Sequence, residues 1–320
     1  MTKLTEATLP ATGKNIYHLA ISADDLADNI IVVGDPERVP KAAAVVLDQT
    51  KPIFRHDHRG LVTMTGYTPN GVRMSIVTTG MGTGSTEIII NEILALKCID
   101  IETRTVKNTP KKPLNIIRVG TSGAVQETTE LGTSIITKYA IGLDNTGMYY
   151  DVALTNPFGI ELEKIADSEI NKAIPEGRRF KGRLHPYVSI PNKCVVDALI
   201  EASKKDNLLY KVGITASAAG FFACQGRFVF EENHPTIENL DSVLTHIGVD
   251  GIKVENFEME IAAIAQITQN FTWVRAGCIC MAVANRRLNT FAKPEKSSIE
   301  PTMKVAADAL EILDKLALEQ

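Results

Sequence analysis

The sequence predicts an α/β fold: a single domain built on one central mixed, largely parallel twisted sheet, with helices on both sides. Three observations carry that expectation. Short runs rich in Ile and Val recur between glycines and prolines, and their apolar residues are continuous rather than alternating, as in strands buried on both faces. Stretches of helical periodicity separate these runs, and alternation of the two makes a parallel sheet. No low-complexity linker and no repeat divides the 320 residues. One domain over residues 1–320 is therefore expected, with 1–15 as a flexible N-terminal arm.

The elements follow in order. NIIVV (29–33) is a buried strand that runs into GDPERVPKAA (34–43), where Gly34 permits a tight turn and Pro36 precedes a helix. RMSIVTT (73–79) leads through TTGMGTGS (78–85) into a helix over 85–98. Residues 101–113 and 169–183 read as polar surface insertions. NIIRV (115–119) is a third strand, followed by the loop GTSGAV (120–125). TSIIT (133–137), VGITAS (212–217) and CICMAVA (278–284) complete the buried set. Helical patterns cover 191–206, 257–269 and 298–318. In VENFEMEIAA (254–263), Asn256 is placed to cap the 257–269 helix, and first-turn glutamates suit its dipole. Glu255 is expected in solvent.

Composition excludes several classes of function. A net charge of −4 argues against a general binder of nucleic acid or of anionic membrane, so an anion must be held by local arginines or backbone amides. The opening stretch has no apolar segment of signal-peptide length, and no run reaches a membrane span. The five cysteines, mostly within apolar segments, read as small reduced hydrophobes without a second cluster at zinc spacing. A cytoplasmic protein with no metal site is expected.

Three glycine loops carry the chemistry. Arg38 lies in the first turn after GDP, where the helix dipole disfavours a cation unless an anion is present; a plain surface arginine is the alternative. Arg118 places a charge inside an apolar strand, which demands a partner. Beside Gly-Thr-Ser-Gly it points, with Thr121, to the crevice where α/β proteins bind ligands; a structural salt bridge is the other reading. TTGMGTGS contains G-x-G, but no acidic residue closes a second strand about 20 residues on, so a dinucleotide site is disfavoured.

Taken together, GDPERV, TTGMGTGS, RVGTSGA and NFEME, in this order and spacing, resemble the nucleoside phosphorylase-I family over about residues 16 to 290. The resemblance implies that family's fold and reversible phosphorolysis of a nucleoside. Inorganic phosphate serves as co-substrate, and no cofactor is used. It assigns phosphate binding to Gly34, Arg38, Arg118 and Thr121, and to Arg59 of a His58-Arg59 pair donated by a neighbouring subunit. IYHLAI (16–21) matches a family segment whose histidine, here His18, reaches the ribose across the dimer interface. A homo-oligomer built from dimers is thus implied. Phosphate chemistry agrees, because arginine forks suit its oxygens.

ITASAAGFFACQGRF (214–228) is similar to the uridine-type segment of this family, which implies base contacts from Phe221, Gln225 and Arg227. Asn285 stands where purine-directed relatives carry an Asp, and Arg286 matches an arginine near the pyrimidine carbonyl. Uridine is the expected nucleoside, and its preference over 2′-deoxyuridine or thymidine is left open by the sequence. A purine-directed member of the family and a non-catalytic nucleoside binder are the alternatives. The resemblance also assigns ribose contacts to Met259 and Glu260, with Glu258 supporting. On a regular helix Glu258 and Glu260 lie about 200° apart and cannot share one pocket. Departures from the family are Ala219, Ala223-Cys224 and Gly60. The last replaces a Glu of an interface monovalent-cation site, so that ion is not expected. The 98–113 connection is also longer than in bacterial relatives.

Overall fold

The computed structural model describes residues 3–107, 109–293 and 298–318. A small hairpin of β1 (Ala11–Thr12) and β2 (Asn15–Ile16) precedes β3 (Asn29–Val33) and α1 (Arg38–Val46). Then come β4 (Phe54–His58), β5 (Leu61–Tyr67), β6 (Arg73–Thr78), α2 (Thr83–Cys98) and a second small hairpin, β7 (Ile99–Asp100) with β8 (Thr105–Val106). The middle of the chain holds β9 (Leu114–Ala124), β10 (Ser134–Leu143), α3 (Pro157–Ala173), β11 (Tyr187–Ser189), α4 (Lys193–Lys205) and β12 (Tyr210–Ala218). It closes with α5 (Leu240–Leu244), β13 (Gly248–Val249), β14 (Ile252–Glu258), α6 (Ile261–Thr268), β15 (Val274–Asn285), β16 (Thr290–Phe291) and α7 (Glu300–Leu318).

One mixed sheet organises the molecule, in the order β13-β14-β12-β10-β15-β9-β3-β6-β5-β4. β3, β6, β9 and β15 run parallel to their neighbours along the centre, and β10, β12 and β14 form a second parallel group joined to it antiparallel through β10 and β15. β14 also pairs back on β9 through Asn256↔Ala124 and Phe257↔Gly123. Strands β9, β15, β10, β12 and β14 therefore close into a ring. All five residues of β3 are buried, as its unbroken apolar run requires.

Helices cover both faces. α2 and α6 pack on one side with Ile89, Ile93, Ile264 and Ile267, while α1, α4 and α7 pack on the other with Val39, Leu199, Met303 and Leu310. α6, IAAIAQIT, is buried at every residue, so it carries no solvent face. Among the described residues no helix is long and apolar enough to cross a membrane.

Several local expectations are corrected. β9 does not stop at Val119 but continues through GTSGA to Ala124, because β15 and then β14 offer ladder partners to those residues. The stretch read as the start of a helix at 257 is strand β14, and α6 begins only at Ile261. Asn256 caps nothing; it is buried within β14 and accepts from Thr215 at 2.9 Å. Glu255 is half-buried and pairs with Lys211 at 3.2 Å and Thr129 at 2.7 Å. Part of the presumed insertion at 169–183 belongs to α3, which starts at Pro157 with Asn156 accepting from the Gly159 amide. The arm is partly ordered: Leu4 N–H donates to Arg104 O at 2.9 Å, and Lys3 bridges Thr105; residues 1–2 lie outside the described residues. Cys278 and Cys280 are buried as expected, but Cys194 and Cys224 are exposed.

Candidate active site

A cavity of about 200 Å³ lies where β9, β14 and β15 meet the loop after β3 and the segment after β12. Of the residues singled out from sequence, Gly34, Arg38, Arg118, Thr121, Phe221, Gln225, Arg227, Glu258, Met259 and Glu260 line it. Arg286 stands behind the wall that Gln225 forms, where its NH2 donates to the Gln225 carbonyl at 3.2 Å. His18 and Arg59 do not reach the cavity of their own chain. They cluster elsewhere: His18 Nδ1 contacts Glu92 at 2.7 Å, and Arg59 NH2 donates to the Tyr17 hydroxyl at 2.8 Å.

Arg118 is the centre of the site. Its strand is buried, so its guanidinium folds back over Gly120, where a Cβ would lie 3.0 Å from Arg118 NH2 and 3.1 Å from Cys280 Sγ. Glu258 Oε2 accepts from Arg118 Nε at 2.6 Å, and the Glu260 carboxylate contacts Arg118 NH2. Both glutamates thus serve one arginine, contrary to the helical expectation. Glu258 ends a strand and Glu260 is the N-cap of α6, so the 200° separation of a regular helix never applies.

The two carboxylates differ in surroundings. Glu258 is fully enclosed by donors: Arg118, the Ser217 hydroxyl, and the Glu260 and Ile261 amides at 2.9 and 3.0 Å. Burial opposes its charge, yet Arg118 and the Ser217 hydrogen bond hold its pKa below the usual value. Glu260 Oε1 accepts from Gly82 N–H, the N-cap of α2, at 2.7 Å. Burial outweighs the pull of Arg118 there, and the neighbouring Glu258 charge adds to it, so the Glu260 carboxyl is pushed up to about 7. Burial acts to lower the Arg118 pKa, but Glu260 and Glu258 together keep it well above its usual value.

The cavity has two cationic ends. At one, Arg38 NH2 lies 3.5 Å from the Thr121 hydroxyl and its Nε is 3.7 Å from Asp35. At the other, the Arg227 guanidinium sits 4.0 Å over the Phe221 ring. Burial lowers the Arg227 pKa, and the Arg286 charge lowers it further. Among the described residues four buried guanidinium donors have no protein partner: Arg118 NH1 and Arg227 Nε of the cavity lining, Arg286 NH1 behind it, and Arg275 NH1 away from it. A buried unpaired donor costs about 1–3 kcal/mol, so an acceptor placed in the cavity beside Arg118 and Arg227 would be favoured.

Other lining residues were not singled out from sequence. Asp35, Met81, Ser122, Phe257, Val283 and Phe291 also face the cavity. The G-x-G of 80–82 belongs to the TTGMGTGS motif, but the sequence assigns its glycines no contact. Its structural use is the Gly82 amide on Glu260, with Gly80 and Gly82 at φ of +73° and +85°. Ser217 left no signal because its partner Glu258 is 41 residues away. Cys278, Cys280 and Glu258 bring three potential metal-ligand atoms within 4.8 Å of one another. The carboxylate of that set is already committed to Arg118, Ser217 and backbone amides.

A larger cavity of about 570 Å³ lies on the other side of the 219–225 segment. Ala219, Ala223 and Cys224, the departures from the family pattern, line that space instead of the active-site cavity.

Comparison with known proteins agrees with this architecture. The family model described as the phosphorylase superfamily matches residues 28–319. A uridine phosphorylase of Thermococcus kodakarensis is 32% identical over 313 residues, covering 97% of this chain and 91% of that protein. The Escherichia coli uridine phosphorylase is 24% identical over 92% of this chain and 96% of its own length. Among solved structures, a Trypanosoma brucei nucleoside phosphorylase described as showing uridine phosphorylase activity superposes with a TM-score of 0.84 at 28% identity, covering 95% of this chain and 99% of that one. A Phytophthora capsici uridine phosphorylase shares the fold, with a TM-score of 0.68 at 20% identity over 98% of each chain. The chain belongs to the phosphorylase superfamily, among its nucleoside phosphorylases.

Proposed function

We propose that this protein catalyses the reversible phosphorolysis of uridine, and of 2′-deoxyuridine, to uracil and the pentose 1-phosphate. The observation that carries the reading is the set of unpaired buried guanidinium donors around a cavity that also holds a carboxylate, Glu260. Phosphate, with nearly two charges at neutral pH, matches Arg38, Arg118 and Thr121 with the Gly34 backbone. Glu260 accepts hydrogen bonds from the ribose 2′- and 3′-hydroxyls, Met259 packs on the sugar, and Glu258 holds Arg118 in place. Phe221 stacks on uracil, Gln225 pairs with its polar edge, and Arg227 and Arg286 face its carbonyls.

Phosphate oxygen attacks C1′ as the C1′–N1 bond breaks, and the bond pair passes onto the uracil ring. Positioning the two reactants and stabilising the departing charge account for catalysis, without a covalent enzyme intermediate or a cofactor. The pyrimidine reading has further support from Asn285. Its Nδ2 donates to Gln126 O and Thr129 O, both at 2.9 Å, and its Oδ1 accepts from the Arg287 and Leu288 amides at 3.1 Å. That side chain is fully used inside the protein and has nothing left for a purine ring.

Each site takes His18 and Arg59 from a partner subunit in this reading, since both lie outside their own chain's cavity. The test is a substrate panel of uridine, 2′-deoxyuridine, thymidine, inosine and adenosine, with and without phosphate. Phosphate-dependent release of uracil faster than any purine is the expected result. Release independent of phosphate, or none above buffer, refutes the reading.

A further inference from the structure

The base side of the cavity is braced from behind by α5. Gly226 has φ of +68°, and a Cβ there would meet the Leu240 amide nitrogen at 2.6 Å and the Ile237 carbonyl oxygen at 3.0 Å. Only glycine lets residues 237–241 approach the Gln225–Arg227 turn so closely. That approach delivers Asp241, which is buried and lies in the first turn of α5. Asp241 Oδ1 is 3.7 Å from Arg286 NH2, and its Oδ2 is 3.5 Å from Arg287 NH1. Arg286 NH2 meanwhile donates to the Gln225 carbonyl, and its guanidinium lies 6.0 Å from the Phe257 ring centre. The wall therefore holds two like charges, Arg227 and Arg286, each with a buried unpaired N–H. Such a pair repels unless a nearby anion offsets it.

We propose that Asp241 is a positioning residue for the leaving base: it anchors Arg286 against the Gln225 carbonyl, so that the free N–H groups of Arg286 and Arg227 stay directed at the base. The inference rests on the uridine reading above. As the C1′–N1 bond breaks, its electron pair spreads onto the uracil carbonyl oxygens, and the two guanidiniums receive that charge. Asp241 exchanges no proton and touches no substrate; it offsets part of the positive charge of Arg227, Arg286 and Arg287 and keeps Arg286 aligned.

The experiment compares uridine with 5-fluorouridine, whose base is a weaker nitrogen base and leaves more readily. A residue acting on leaving-group stabilisation should matter less for the better leaving group, whereas a fold defect lowers both alike. For Asp241→Asn at saturating phosphate, kcat/KM for uridine should fall by on the order of tenfold to a hundredfold, the worth of one charge-assisted contact. The loss for 5-fluorouridine should be smaller, KM for phosphate should stay at the parent value, and Asp241→Glu should recover part of the loss. Gly226→Ala, which pushes α5 away, should show the same split between the two nucleosides by a separate route. Equal losses on both nucleosides, a parallel rise in phosphate KM, or parent-like kinetics for Asp241→Asn would overturn the proposal. Failure of the parent protein to release uracil with phosphate instead overturns the uridine reading itself.

Discussion

Glu258 and Glu260 stand two residues apart against the same guanidinium, and their surroundings push them in opposite directions. Four donors surround Glu258, whereas Glu260 has the Gly82 amide and a share of Arg118 in a buried place beside another carboxylate. With its carboxyl near 7, Glu260 gains a proton as pH falls through neutrality and, in the proposed reading, loses an acceptor for the ribose hydroxyls. Uridine affinity, measured calorimetrically without phosphate, should therefore weaken between pH 8 and pH 6. Omitting phosphate keeps the anion's own titration out of the result. Glu260→Gln should flatten this dependence and lower kcat/KM by on the order of a hundredfold, the cost of a lost charged hydrogen bond in a buried site. The linkage sign is consistent. The folded state holds this proton more tightly than an unfolded carboxyl near 4.5, so the stability it contributes is present below that value and lost as pH rises toward 7. At this scale the sequence was informative about residue type. Arg118 inside an apolar strand announced a charged partner; which glutamate took which role depended on hydrogen bonds from β12, α2 and the start of α6.

At the scale of elements, the junction of β12, β14 and α6 decides where the carboxylates point. Ser217 on β12 faces Glu258 on β14 in register; its hydroxyl donates to the carboxylate and accepts from the Ala262 amide of α6 at 3.0 Å. Ser217→Ala would leave that amide without a partner in a buried helix start. The expected loss of stability is about 1–3 kcal/mol, read from the shift of the urea midpoint. The strands with continuous apolar runs and the helices at 191–206 and 298–318 were legible because burial on two faces, or along one stripe, leaves a period in the sequence. β14 was not, since VENFEME mixes polar and apolar residues and its polar members are satisfied by partners far along the chain. β4 and β5 were missed for a related reason: FRHDH, at the sheet edge, has no apolar run. Their connection is nonetheless legible in retrospect. Arg59 and Gly60 have φ of +54° and +76°, as a two-residue hairpin turn requires. Gly60 is thus explained by turn chemistry.

For the whole molecule, the cavity formed by one chain lacks His18 and Arg59, which sit together near Tyr17. If a partner supplies them, a site with Glu260 from one subunit and Arg59 from the other is intact only in the assembly. Mixing Arg59→Ala with Glu260→Gln, each nearly inactive alone, should then restore activity. Random reassociation of dimers gives about a quarter of the parent rate, because half the dimers are mixed and each holds one native site. No recovery after unfolding and refolding the mixture together would place both residues in the same chain's site.

The sequence by itself determined the α/β architecture and the buried centre of the sheet, and it announced a charged partner for Arg118, because burial patterns, glycine turns and charges in apolar runs are local properties. It also supplied the family pattern that the match over residues 28–319 bears out. The tertiary structure alone decided the ring closure of β14 on β9, the strand character of residues 252–258, and the union of Glu258 and Glu260 on Arg118. These depend on contacts between residues about 140 positions apart, and a buried polar side chain shows its purpose only when its distant partner is in place.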